Sequence, residues 1–452
     1  MELRDGMELE LAVSRLALGG RGVARLDGLV VFVDGGLPGA RVRARVTRVR
    51  KGFAEAEVTE TLVPSPRAVA PECPHFGVCG GCLWQDLDYG EQLFWKREQV
   101  AETLTRLGGL SGVEVAPAVA SPRLYGYRNK MEFAFAGRLH LGLHERRRPG
   151  RVLDIETCRL MAPWASEVVG FVRDWCRDSG LAAFDARTGK GVWRHLVLRE
   201  SAATGKRLAH LITGPARAAG DKVRELGEAI QERFPEVTSV AHSVRRAPTA
   251  VAVGERQVFV RGAGRLEEAV GSVRLAVSPD AFVQTNTEAA QALYALVAQA
   301  AGGDAQGAAW DLYCGCGGIS LTLAPHFELV HGVEADERAI EDAKVSATLS
   351  GIENCVFHAQ DAARAMADLA ATRPATVVLD PPRAGAAPDV LAGILAAAPT
   401  RVVYVSCNPA TLARDLKILS DQYQVTSVTP VDLFPHTAHI ECVAALVARG
   451  SE

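Results

Sequence analysis

Residues 1–62 alternate apolar and polar positions over short runs broken at Gly19-Gly20, Asp27-Gly28 and Gly35-Gly36, the pattern of a small antiparallel β-barrel. Between Glu91 and Leu107 the period changes. Leu93, Val100, Leu104 and Leu107 recur at helical spacing and Gly108-Gly109 stops them, which predicts an amphipathic helix packed on a core. Residues 120–270 read as mixed strands and helices. From residue 272, apolar runs near 309–313, 328–334, 353–358, 375–380, 400–406, 424–431 and 439–446 alternate with alanine-rich helical stretches. This predicts a largely parallel sheet with helices on both faces, the last two strands forming an antiparallel pair at one edge because no helix fits between them.

The fold class is therefore α/β and multidomain. A small OB-like barrel occupies 1–62, a central α+β domain 63–271, and a Rossmann-like sheet domain 272–452. No apolar run is long enough to span a bilayer and no N-terminal apolar signal is present, so a cytoplasmic protein without a membrane partner is expected.

The net charge of −3 conceals an asymmetry: residues 121–215 carry 17 Lys/Arg against 9 Asp/Glu, whereas residues 271–452 carry 10 against 20. A basic middle region suits a polyanion. Arg41, Arg43 and Arg45 alternate onto one strand face of the barrel, with Arg48, Arg50 and Lys51 following. Tyr125-Gly126-Tyr127-Arg128-Asn129-Lys130, Arg146-Arg147-Arg148 and Trp193-Arg194-His195 mix cations with aromatic rings. Cations neutralise phosphates and rings stack on unpaired bases, so single-stranded RNA is the expected partner.

The ten cysteines do not form a secreted disulfide framework. Cys73, Cys79 and Cys82 have the spacing Cys-x5-Cys-x2-Cys, and Cys158 is a distant fourth candidate. Four thiolates suit either zinc or a [4Fe–4S] cluster, and the spacing leaves the two open.

In the last domain, Asp311-Leu312-Tyr313-Cys314-Gly315-Cys316-Gly317-Gly318 makes a glycine-rich turn from strand to helix, and Glu334 ends the next strand, where an acid can accept from ribose hydroxyls. These two features fit a dinucleotide or S-adenosylmethionine equally. Asp361, after the third strand, can hold an adenine amino group. Asp380-Pro381-Pro382 tips the reading toward methyl transfer by setting a rigid loop over the methyl group. Arg383 follows where amino-methyltransferases carry an aromatic residue, and Cys407 stands one strand later, where strand gives way to the Asn408-Pro409 turn. A thiolate adding to carbon 6 of a pyrimidine makes carbon 5 nucleophilic, and a base must then remove the carbon 5 proton. Glu441, at the start of the last apolar run, is the candidate base.

These segments, with Phe282-Val283-Gln284-Thr285-Asn286 and Phe434-Pro435-His436-Thr437-Ala438-His439, resemble the bacterial RNA uracil-5-methyltransferase family along nearly the whole chain. Residues 1–62 resemble its TRAM domain. The resemblance implies a [4Fe–4S] cluster on Cys73, Cys79, Cys82 and Cys158, Cys407 as nucleophile and Glu441 as base. It also implies that Gln284, Tyr313, Glu334, Asp361 and Asp380 surround S-adenosylmethionine. Some members have Asn where Gly318 stands, so only backbone is offered there. A TRAM domain together with the cluster is similar to the 23S ribosomal RNA branch, with the T-loop uridine of tRNA as second choice and no obligate protein partner. A non-catalytic iron–sulfur RNA-binding protein would leave Cys407 and Glu441 idle.

Overall fold

A computed structural model describes residues 3–216 and 219–450. The N-terminal unit is a six-stranded sheet whose order is first, fifth, sixth, fourth, third, second, from Glu8–Ala12 to Arg15–Leu16. All its pairs are antiparallel except Leu29–Asp34 with Phe53–Val63, which run parallel. Along Arg41–Arg50 the residues Val42, Ala44 and Val46 point into the core while Arg41, Arg43 and Arg45 point out. Those arginines do not make the free basic face that the alternation suggested. Arg41 and Arg43 pair with Glu10, Arg43 with Glu60 and Arg45 with Glu8, all on adjoining strands.

The central unit is a seven-stranded sheet running from Arg256–Gly262 to Val152–Asp154, backed by helices Pro163–Asp178 and Ala219–Arg233. Its sequence aromatics are mostly core. Trp193, Arg194 and His195 are buried, so they do not form the RNA surface expected of them. Arg146 and Arg147 also serve another purpose, clamping Asp34 and Glu57 of the barrel at 2.6–3.4 Å.

The last sheet has the strand order third, second, first, fourth, fifth, seventh, sixth. Its strands are Asp304–Leu312, Phe327–Glu334, Cys355–Ala359, Thr376–Leu379, Arg401–Ser406, Tyr423–Val431 and Glu441–Ala448. The first five are parallel, and both faces are covered. Val378, Val403 and Val405 join one apolar core, while Val377, Leu379, Val402 and Tyr404 join the other. Burial on both faces explains why these strands read as unbroken apolar runs. The expected antiparallel pair is present, but Glu441–Ala448 is not at the edge. It lies between Arg401–Ser406 and Tyr423–Val431, antiparallel to both.

Packing divides the chain differently from its linear order. The hairpin Leu266–Val270 with Val273–Val277 crosses the expected boundary at 272 and buries its apolar residues in the last domain's core. Upstream, Val115 and Val119 bridge in parallel to Val428 and Val431. The helix before them, Tyr89–Thr103, buries only part of the apolar stripe expected: Val100 and Leu104 are in the core, but Leu107, in a following π-turn, is 59% exposed, and Gln92, Lys96, Gln99 and Thr103 are buried as well. Among the described residues no helix is long and apolar enough to cross a membrane.

Candidate active site

The ends of the parallel strands open into a cavity of about 1160 Å³. Ahead of the glycine-rich turn, Asp311 is fully buried, accepts a 2.6 Å hydrogen bond from Ser320 Oγ, and is pushed up to about 7 by burial. The turn that follows requires left-handed backbone at Tyr313 (φ 66°), Gly315 (φ 53°) and Gly317 (φ 87°). Tyr313 is the costly member, since a residue with a Cβ is disfavoured there. A Cβ at Gly317 would come within 3.1–3.2 Å of Phe357 and Ala343, so close packing and conformation both call for glycine. Glu334 is held at the mouth of the turn, its carboxylate accepting from the N–H groups of Gly315 (3.3 Å) and Asp336 (3.0 Å).

Asp361 is exposed and its Oδ1 accepts from Ala363 N–H at 2.9 Å. It stands outside the cavity's lining but close enough that its charge helps raise the Tyr313 phenol, second to burial and after a backbone contact. Gln284, Tyr313, Gly318, Glu334, Asp380, Cys407 and Glu441 all line the cavity itself.

Cys407 lies between the fifth strand and helix Pro409–Leu419, whose N-cap Asn408 accepts from Ala410 N–H at 3.1 Å. Asn408 Nδ2 also donates to Arg383 O at 3.0 Å, tying the cysteine turn to the Asp380-Pro-Pro-Arg loop. Because Ser406 pairs with Cys442 in antiparallel register, Cys407 and Glu441 leave the sheet opposite each other. This follows from the seventh strand being inserted beside the fifth. Burial pushes the Cys407 thiol up to about 11, the carboxylates of Glu441 and Asp380 add to the rise, and Arg383 opposes it. Glu441 is raised well above the usual carboxylate range by burial and then Asp380, against Arg383 and Lys96. Asp380, half-buried at the strand end, is raised to about 7 by desolvation. A thiol and two carboxyls with raised pKa values thus stand together beside the Arg383 guanidinium, an arrangement suited to shuttling protons rather than fixing charge.

The loop that delivers Glu441 is held by the polar helix. Lys96 Nζ donates to Asp432 Oδ1 at 2.6 Å and to Phe434 O at 3.1 Å. Gln92 Oε1 accepts from His436 N–H at 2.8 Å, and Leu83 and Trp84 N–H donate to His436 O at 2.9–3.0 Å. Sequence reasoning missed Gln92 and Lys96; the signal was present as a polar stripe, Gln92, Lys96, Gln99 and Thr103, at helical spacing. It gave no separate role to Phe282, 68% exposed, which lines this cavity and a second one.

That second cavity, about 410 Å³, is lined by Cys73, Cys79, Cys82 and Cys158 together with Arg128. The thiols are unpaired in disulfides. Burial raises Cys79 and Cys158 and takes Cys82 to about 12, with the neighbouring thiols adding to each rise. Arg128 opposes the rise at Cys82 and Cys158, and Gly81 N–H donates to Cys79 Sγ at 3.4 Å, but burial prevails at all three. Among the described residues no three His, Cys, Asp or Glu side chains are grouped so as to hold a metal ion. The four sulfurs therefore share a cavity without closing into a ligand shell. As a donor set, four thiols around one space fit zinc and an iron–sulfur cluster alike.

Comparison with known proteins bears on the first of these cavities. Residues 266–449 match the family model "tRNA (Uracil-5-)-methyltransferase" and residues 2–59 match the TRAM domain. The chain is 43% identical over 452 residues to an "Uncharacterized RNA methyltransferase" of Nitratidesulfovibrio vulgaris, covering 98% of this chain and 96% of that protein. A Geobacter sulfurreducens relative, also described as an uncharacterized RNA methyltransferase, is 38% identical, covering 99% and 91%. Among solved structures, the tRNA (uracil-54, C5)-methyltransferase of Pyrococcus abyssi in complex with S-adenosyl-L-homocysteine is similar with a TM-score of 0.76 and 26% identity, covering 97% of this chain and 100% of that one.

Proposed function

Because the chain belongs to the RNA uracil-5-methyltransferase family, we propose that it methylates carbon 5 of one uridine in 23S ribosomal RNA through a covalent bond between Cys407 and the uracil. The observation that carries this reading is the pairing of Ser406 with Cys442, which sets a thiol and a carboxyl opposite each other at the rim of one cavity. S-adenosylmethionine, when bound, supplies an electrophilic methyl group. Gln284, Tyr313, backbone at Gly318, Glu334 and Asp380 hold it, with Asp361 on the adenine side.

The chain's own residues do the rest. The Cys407 thiol, raised to about 11, loses its proton to solvent in the open cavity as it attacks, leaving Glu441 ionised for the later step, and its sulfur bonds to carbon 6 of the uracil. Electrons from the carbon 5–carbon 6 double bond move onto the carbonyl at carbon 4, so carbon 5 becomes nucleophilic and takes the methyl group. Glu441 then removes the proton from carbon 5, the double bond reforms, and the carbon–sulfur bond breaks to return the thiolate. A carboxyl whose pKa is raised by burial is a stronger base once ionised, which suits a weakly acidic carbon proton.

The cysteine cavity is assigned to a [4Fe–4S] cluster on Cys73, Cys79, Cys82 and Cys158, with a structural role. Support comes from the all-sulfur donor set and from the bonds of Leu83 and Trp84, next to Cys82, onto the loop that ends at Glu441.

Ribosomal RNA is favoured by the resemblance of the TRAM domain and cysteine set to that branch. The T-loop uridine of tRNA is a second reading, favoured by the full-length likeness to the Pyrococcus abyssi enzyme. Incubation with labelled methyl donor and separated ribosomal and transfer RNA fractions, followed by nucleoside analysis, decides between them. Glu441→Gln is expected to accumulate a methylated protein–RNA adduct that survives denaturing electrophoresis, and Cys407→Ala to form none. Methylated adenosine in place of 5-methyluridine, or an adduct persisting in Cys407→Ala, would overturn the assignment.

A further inference from the structure

Tyr294 belongs to helix Thr287–Ala301, outside every motif considered so far, yet its ring lies against the glycine-rich turn. A Cβ built on Gly318 would stand 2.5 Å from Tyr294 Oη and 2.9 Å from two of its ring carbons. The phenol therefore fills the space that a side chain at position 318 would take. Tyr294 is itself buried, and it lines the donor cavity with Gly318, Cys316 and Asp380. Among the described residues no protein group hydrogen-bonds its hydroxyl. The hydroxyl thus faces a polar cavity with its donor and acceptor capacity uncommitted to protein, open to whatever occupies that space. Burial, with the charges of Cys316, Asp380 and Asp311 added, raises this phenol well above its ordinary value, so it is a neutral O–H at any working pH.

The strand order says which part of the donor it meets. Asp361 follows the third strand, Glu334 ends the second, the glycine turn follows the first, Asp380 ends the fourth and Cys407 follows the fifth. With adenine and ribose at the third and second strands and the methyl group beside Cys407, the amino-acid end is left to the first strand's turn, where Tyr294 stands. We propose that the Tyr294 hydroxyl hydrogen-bonds the amino-acid end of S-adenosylmethionine, donating to its carboxylate. Residue 294 thereby supplies from a helix the side-chain contact that Gly318 cannot. This rests on reading the cavity as the donor site.

The test is calorimetric binding of S-adenosylhomocysteine and of 5′-methylthioadenosine, which lacks the amino-acid end, to the full-length protein. Tyr294→Phe should weaken S-adenosylhomocysteine by about 10- to 100-fold, as for loss of a hydrogen bond to a charged group, and leave 5′-methylthioadenosine unchanged. Gly318→Ala, whose backbone tolerates alanine but whose methyl displaces the hydroxyl, should show the same selective loss, and the double variant no further loss. Equal binding by wild type and Tyr294→Phe, or equal weakening of both ligands, would overturn the proposal. Failure of the wild type to bind S-adenosylhomocysteine would instead overturn the donor-site reading.

Discussion

Lys96→Met is the sharpest perturbation of how this site is held. Lys96 and Asp432 are 1% and 0% exposed and 2.6 Å apart. At an effective dielectric of about 20 their attraction is on the order of 6 kcal/mol, and desolvation of both ions takes back most of it. Burial in fact outweighs Asp432's attraction and lowers the Lys96 pKa. The intact pair is thus close to neutral, but removing one partner strands a carboxylate whose Oδ2 already lacks a bond. Lys96→Met should destabilise the catalytic unit by about 3–5 kcal/mol. With a urea slope of about 3 kcal/mol per M, the unfolding midpoint falls by about 1–1.7 M. Tryptophan fluorescence is a direct probe, since Trp84 lies 5.9 Å from the ammonium. Lys96→Met with Asp432→Leu should recover most of the loss, short of about 1 kcal/mol for the bond to Phe434 O. A Lys96→Met midpoint within 0.3 M of wild type, taken as about 1 kcal/mol, or a double variant no better than the single, would refute the reasoning.

Other consequences can be measured separately. Arg383→Gln removes the one guanidinium holding the Cys407 thiol down, so adduct formation with 5-fluorouridine RNA should slow about tenfold at pH 8 and its profile shift to higher pH; an unmoved profile would exclude Arg383 from that role. Cys79→Ser should lose the brown colour and the matching iron and sulfide content of the purified protein, whereas zinc in the wild type would refute the cluster. Arg43→Ala should change RNA affinity less than about twofold and leave the salt slope intact, because Glu10 and Glu60 already neutralise that guanidinium; a slope lower by about 1 would show a phosphate contact.

The catalytic sheet was legible because its strands are buried on both faces. Val402, Val403, Tyr404 and Val405 are all buried, so the run is apolar without alternation and its end marks the cofactor edge. Cys407 and Glu441 were readable as chemistry, but their meeting was not. It depends on the seventh strand entering between the fifth and sixth, a choice made by long-range pairing that no local period records. The helix at Tyr89–Thr103 was read only in part for the same reason: its buried polar side chains Gln92 and Lys96 meet His436 and Asp432, more than 300 residues away. In the barrel, Arg41–Arg45 looked basic in one dimension, and Glu8, Glu10 and Glu60 neutralise them from neighbouring strands. Tyr294 gave no signal, being one aromatic in a helix of ordinary core spacing.

The bridging of Val115 and Val119 to the sixth strand decides where this protein can be cut. Ala116 and Val119 N–H donate to Val428 and Pro430 carbonyls, and the N–H groups of Val428 and Asp432 return bonds to Glu114 and Val119. Residues 114–119 thus occupy the hydrogen-bonding groups of what would otherwise be a bare sheet margin, with Val115 covering apolar surface beside it. A fragment beginning at residue 272 would present that margin to solvent as a template for strand addition by another chain, a recognised route to aggregation. The methyltransferase unit is contiguous in space but not along the chain. A soluble excised form must carry residues 89–120 with it, linked across the space the central sheet now fills.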